Sequence, residues 1–171
     1  MARVLARDAL ARRGARVRIF GPGRSSHSAD WDAPLQSCAA LRTLAPVHPV
    51  WGPDYTKALC GARLALCFLS KRNRDGYTRR CFEIPATGTP MLSEYSPELA
   101  AMFREGVEAD FFRSGDELVR KVEFYLSHDV ARRELGAAGL ERARADGHDV
   151  DTRMLTMLRD LRIANPIRQA G

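Results

Sequence analysis

RLALCFLSKRNRDGYTRRCFEIPATGTPML, residues 63–92, runs from an apolar stretch through a basic loop into a helical pattern and back to an apolar stretch. Residues 63–69 are almost entirely apolar over a strand's length, the signature of a strand buried on both faces. Residues 79–86 follow as a helix, and 90–92 with their neighbours as the next strand. A strand, a helix and a second buried strand in so short a span require a crossover, and crossovers make parallel sheets with helices on the faces.

The same alternation extends in both directions. Upstream, residues 15–20 alternate apolar and charged side chains and end in Gly21-Pro22-Gly23, a strand leaving into a tight loop. Residues 4–10 carry apolar residues at helical spacing, stopped by Gly14. Residues 24–44 read as loop with a short helix, 47–51 as a short strand closed by Gly52-Pro53, and 54–60 as helical turns capped by Gly61. Downstream, helices are predicted over 96–104, 115–127 and 129–145, with a strand at 109–112. Ser114 or Asp116 caps the second of these helices. A last helix, 150–164, repeats Met154, Leu155, Leu158 and Leu161; it packs back on its own domain or reaches toward another. The prediction is a doubly wound, Rossmann-like α/β fold with a parallel sheet. It is a single domain over 1–171, with its core at about 15–147 and a C-terminal helix and tail at 148–171.

Composition narrows the classes of function. The chain of 171 residues is 45% hydrophobic and 28% charged, a globular balance, and no apolar run reaches the roughly 20 residues of a membrane span. The first twenty residues are too charged for a signal-peptide core, and the expected location is the cytoplasm. Cys38, Cys60, Cys67 and Cys81 show no CxxC spacing, so they read as free thiols, and no metal cluster is visible. The net charge of +6 comes from residues 1–24, with seven arginines and one aspartate; the rest balances at 20 basic and 20 acidic groups. Nucleic acid binding needs basic groups spread over one surface, so it is not expected.

In open α/β sheets a ligand sits beyond the C-terminal ends of the strands. Gly21-Pro22-Gly23 leaves the first strand there, but the third glycine of a dinucleotide fingerprint is missing. The loop after residue 69 is richer. Lys71, Arg72, Arg74, Arg79 and Arg80 face Asp75 alone before Glu83, and the loop, with the Thr78 hydroxyl, leads into a helix N-terminus suited to an anion. Glu83 lies among Phe82, Ile84, Pro85 and Ala86, where a carboxylate is costly unless hydrogen-bonded. Two carboxylates bracketing a basic loop suit a ligand with hydroxyls at both ends of a diphosphate, the anatomy of a nucleotide sugar. His27, His48, His128 and His148 are scattered and read as surface residues.

Thr78-Arg-Arg80-Cys-Phe-Glu83-Ile-Pro-Ala-Thr-Gly88 resembles the Thr-x-Arg-x-Phe-Glu-Ile-Pro-Ala-x-Gly stretch of the CgeB-like, spore-maturation type glycosyltransferases, GT-B enzymes. Gly52-Pro-Asp54-Tyr55, Ser96-Pro-Glu98-Leu and the tail from Ser114 to Arg142 fit as well, and the resemblance covers about residues 15–160. It implies a nucleotide-sugar-binding C-terminal half of a GT-B enzyme, with no cofactor and no metal. By this resemblance Glu83 grips the ribose hydroxyls and Asp75, where the wider class has glutamate, faces the donor sugar, and these two carboxylates are the expected catalytic residues. Arg80 and neighbouring N–H groups hold the pyrophosphate. Gly21, Gly23, Tyr55, Arg74 and Thr78 join Arg80 and Glu83 as substrate-binding residues. Cys67 stands where the family commonly has asparagine.

A GT-B enzyme binds its acceptor in a second Rossmann-like domain, and this sequence offers a donor-binding half without an evident acceptor half. A fragment, a module that works with a partner or by self-association, and a decayed relative all remain open. The expected function is transfer of a hexosyl group from a nucleoside-diphosphate sugar; the rival class is a non-catalytic nucleotide-binding or interaction module of the same fold.

Overall fold

The computed structural model describes residues 10, 14–20, 36, 39, 41–70 and 73–161. The predicted helix over 4–10 (apart from Leu10), the Gly21 and Gly23 turn, most of the 24–44 loop, Lys71, Arg72 and residues 162–164 lie outside them. Strands β1 (Ala65–Cys67), β2 (Met91–Glu94) and β3 (Asp110–Phe112) form a parallel sheet in that order, with Ala65 opposite Met91 and Leu92 opposite Asp110. Helices α1 (Gly52–Cys60), α2 (Arg80–Ala86), α3 (Pro97–Met102), α4 (Gly115–Ser127), α5 (Asp129–Ala145) and α6 (Val150–Asp160) complete the described chain, with a 3-10 turn at Arg42–Leu44. The fold is Rossmann-like α/β, as the 63–92 stretch predicts.

Side-chain alternation along β1 explains how both sheet faces are covered. Ala65, Cys67 and Leu69 join Met91, Phe111, Cys81 and Ile84 of α2, and Leu99 of α3 in one buried cluster. Leu64, Leu66 and Phe68 point the other way, toward Leu92, Phe112 and the α4 residues Leu118, Val119 and Val122. Period-2 alternation with apolar side chains at both phases requires cover on both sides. Helix α5 packs against α2 and needs a close approach to do so: a Cβ on Gly136 would lie 2.5 Å from the Gly88 carbonyl oxygen, and one on Gly139 2.5 Å from that of Glu108. Caps set the helix starts, with the side chains of Ser96, Ser114 and Asp149 accepting from the amides of Leu99, Glu117 and Thr152.

Two strand expectations are corrected. Neither 15–20 nor 47–51 forms a strand; they meet in one parallel bridge, Phe20 to His48. Pro46 and Pro49 flank that bridge and lack the N–H that a ladder would use, which limits pairing to a point. Of the two courses open to the last helix, packing back on its own domain is not the one seen over Val150–Asp160, whose residues are exposed throughout, including Met154, Leu155, Met157 and Leu158. No helix among the described residues is long and apolar enough to cross a membrane.

The end of the sheet is held by charge. Glu105, just before β3, takes both terminal nitrogens of Arg113 at 2.8 Å, which lowers its pKa to about 2, with Lys121 adding to the effect. Burial opposes ionisation of Glu108, yet the amide and guanidinium of Arg104, each at 2.9 Å, outweigh it and hold its pKa below the usual range. Lys121 also donates to Asp110, which accepts from the Tyr125 hydroxyl. Carboxylates with depressed folded pKa values stabilise the native state above their unfolded pKa and lose that contribution as they are protonated. The melting temperature is therefore expected to hold from pH 7 to pH 5 and to fall as the pH drops from about 4.5 toward 2. A melting temperature unchanged between pH 5 and pH 3 would contradict this origin of the stability.

Candidate functional site

Beyond Cys67 the chain leaves the sheet at its C-terminal edge and folds into a tight loop. The Ser70 amide donates to Asp75 Oδ2 at 3.3 Å and the Asp75 amide to the Ser70 carbonyl at 3.0 Å, so the loop closes on itself. Within it Arg74 has a φ of 54°, the left-handed region that side chains other than glycine seldom occupy. Strain of this kind costs on the order of 1 kcal/mol and persists only where the surroundings enforce it. Enforcement comes from the β2–α3 turn. The Ser96 hydroxyl donates to the Gly76 carbonyl, and the Glu98 carboxylate lies so close that a Cβ on Gly76 would meet it at 2.5 Å. The Leu69 amide donates to Glu94 Oε2 at 3.2 Å.

Between loop and turn lies an open cavity of about 320 Å³, lined by Leu69, Ser70, Arg74, Asp75, Gly76, Glu94, Tyr95, Ser96, Pro97 and Glu98. That is the lower end of the size range for small-molecule sites, roughly 300–1,000 Å³. Three carboxylates, three hydroxyl-bearing residues and one arginine line it, a set rich in polar groups for a polyhydroxylated ligand. No carboxylate among the described residues lies within ion-pair distance of Arg74. Tyr95 is held in the wall by Arg113, whose guanidinium sits 4.0 Å from the ring centroid.

A second group forms where α1 meets α2. The Tyr55 hydroxyl donates to Glu83 Oε2 at 2.8 Å, and Arg79 Nε pairs with Oε1 at 2.7 Å. These partners resolve the cost anticipated for a carboxylate in an apolar segment. Burial, then the Glu83 carboxylate, pushes Tyr55 up to about 12, so it stays a protonated donor. Arg80 is exposed beside this pair, with no carboxylate among the described residues in ion-pair range. Its positive charge acts on Tyr55.

The residues singled out in the sequence thus fall into two sets. Arg74 and Asp75 line the cavity; Tyr55, Arg80 and Glu83 gather on the α1–α2 side and do not line it. The Thr78 hydroxyl faces the buried thiols of Cys67 and Cys81, at 3.7 and 3.8 Å. Those thiols stand 3.5 Å apart, and their hydrogen bond is the main reason that Cys81 is the more acidic of the two. Cys60, Cys67 and Cys81 are free. Gly21 and Gly23 lie outside the described residues.

The helix start is less open to an anion than the sequence suggests, because the amides of Cys81, Phe82 and Glu83 already donate to the Thr78 and Arg79 carbonyls. His148 is a further correction. Its ring packs on Phe82, 4.4 Å between centroids, and burial lowers its pKa, so it is a neutral packing residue and not a surface one. The sequence reading missed Glu94, Tyr95 and Ser96 as cavity residues. They lie at and just beyond the C-terminal end of β2, where the rule placing ligands beyond strand C-termini would have found them.

A parallel sheet covered on both faces, with polar side chains from two crossovers gathered beyond its C-terminal edge, defines a Rossmann-like α/β domain. The model of the glycosyl transferase-like family matches residues 3–159, and the chain belongs to that family. The comparison with curated proteins gave no match.

Proposed function

We propose that the chain is the donor-binding unit of a GT-B glycosyltransferase of the CgeB-like type, taking a nucleoside-diphosphate sugar beyond the C-terminal edge of the sheet. The observation that carries this reading is the held carboxylate of Glu83 beside the exposed Arg80, which pairs with no carboxylate among the described residues, and in the same crossover a cavity lined with Asp75, Glu94 and Glu98. Glu83 takes the ribose hydroxyls, and Arg80 takes the diphosphate. The cavity takes the hexosyl group, with Asp75 accepting from its hydroxyls and Arg74 at the diphosphate end. The chemistry asked of such a site is stabilisation of the departing diphosphate by fixed positive charge, with no covalent protein nucleophile. The cavity is open to solvent, and an acceptor-binding unit closes it for transfer.

The discriminating variant is Arg80→Ala. A charged hydrogen bond is worth about 1.5–3 kcal/mol, so affinity for the nucleoside diphosphate is expected to fall by that amount while affinity for the bare nucleoside is unchanged. Calorimetric titration of both ligands measures it. Equal losses for the two would give Arg80 a structural role and remove the phosphate contact.

A further inference from the structure

We infer that Tyr55 is a positioning residue whose hydroxyl fixes the Glu83 carboxylate as a two-pronged acceptor for a cis-diol. The inference rests on the proposed contact between Glu83 and a ribose and names the device that makes it selective. A carboxylate offers about four lone-pair sites. Tyr55 occupies one on Oε2 and Arg79 one on Oε1, which leaves one acceptor site on each oxygen. Two acceptors on one rigid plane match the two adjacent hydroxyls of a ribose, whereas a freely rotating carboxylate would lose entropy to present them.

The two partners of Glu83 do not hold it equally. The Arg79 side chain is 83% exposed, and an ion pair this open contributes little to holding a geometry. Tyr55 is half-buried and comes from a separate helix, 28 residues upstream, so the contact fixes Glu83 relative to α1 and not merely within its own turn. The phenol stays protonated well above neutral pH, since burial and the facing carboxylate both oppose its ionisation. Donation to Glu83 therefore persists across the physiological range. Its one proton is committed to Glu83, so Tyr55 acts through that carboxylate and is not itself the group that donates to a ligand.

The test compares UDP, GDP and ADP with their 2′-deoxy counterparts by calorimetric titration of the whole chain. Removing the 2′-hydroxyl removes one prong's partner, and a preference for ribose on the order of tenfold is expected for the base that binds. Tyr55→Phe keeps the ring and removes the donor. It is expected to lower affinity for the ribonucleotide by about tenfold while leaving the deoxynucleotide within about twofold, so the preference collapses at an unchanged melting temperature. A double variant with Glu83→Gln is expected to bind no more weakly than Glu83→Gln alone, because one residue acts through the other. Arg79→Ala is expected to keep the preference. If Glu83→Gln erases the preference but Tyr55→Phe retains it, or if the two losses multiply, the positioning role is overturned and the ribose contact stands. If none of the ribonucleotides binds, or if the unaltered chain treats ribo and deoxy forms alike, the ribose contact fails and this inference fails with it.

Discussion

Phe111→Ala is expected to reduce the unfolding free energy by about 3–5 kcal/mol, the cost of removing a large buried ring and leaving a cavity that its neighbours fill only in part. Phe111 is fully buried at the centre of β3, in the cluster that joins β1, β2, α2 and α3. Domains of this size are stable by about 5–15 kcal/mol, so the loss is a large share of the total. At roughly 2–4 °C per kcal/mol the melting temperature falls by about 6–20 °C, read by calorimetry or circular dichroism. The effect extends to the cavity. Phe111 meets the Tyr95 ring edge-on at 6.2 Å between centroids, and Tyr95 forms part of the wall beyond Glu94. Val130→Ala, on an exposed position of α5, is the control and is expected to change stability by less than about 0.5 kcal/mol. A loss below about 1 kcal/mol for Phe111→Ala would contradict the placement of this core.

Glu83→Gln is expected to weaken nucleoside-diphosphate binding by about 1–3 kcal/mol, roughly 5- to 150-fold, with the melting temperature nearly unchanged. The amide keeps the size of the carboxylate but loses its charge and half its acceptor capacity. The Glu83 side chain is 30% exposed and its partners Tyr55 and Arg79 can turn to other acceptors or water, so the fold survives the change. Titration with the diphosphate and a parallel melt separate the two roles. Unchanged affinity with a lowered melting temperature would make Glu83 a tie between α1 and α2 and nothing more.

The legible parts of the sequence were those whose causes are local. Helices α4 and α5 lie where the pattern places them because Ser114 supplies a cap and the apolar spacing continues through Leu118, Val122 and Tyr125 on one face. The β1–α2–β2 crossover was legible because six apolar residues in a row, 64–69, have few alternatives to a doubly covered strand. Residues 47–51 misled, since β-branched and apolar side chains suggest a strand while Pro49 withholds the hydrogen bond that would extend one. Strand β2 runs on to Glu94 through Ser93, a buried hydroxyl that a reading by hydrophobicity ends upon.

The site divides in the same way. Arg74, Asp75 and Arg80 announced themselves by concentration in one loop. The partner that holds Glu83 did not, because Tyr55 lies 28 residues away on another helix and no spacing rule connects them. Nor did the contact of Cys67 with Cys81, which the crossover brings together from opposite sides of the basic loop.

Nucleotide-sugar binding at the C-terminal edge of this sheet is tested most directly by thermal shift of the purified chain against UDP, GDP, ADP and their sugars. A ligand present at 100 times its dissociation constant stabilises the folded state by about 2.7 kcal/mol. One base series is expected to raise the melting temperature, with the sugar-bearing form at least as effective as the bare diphosphate because the cavity beside Arg74 and Asp75 is then filled. No shift with any of them at millimolar concentration would contradict the donor-binding role.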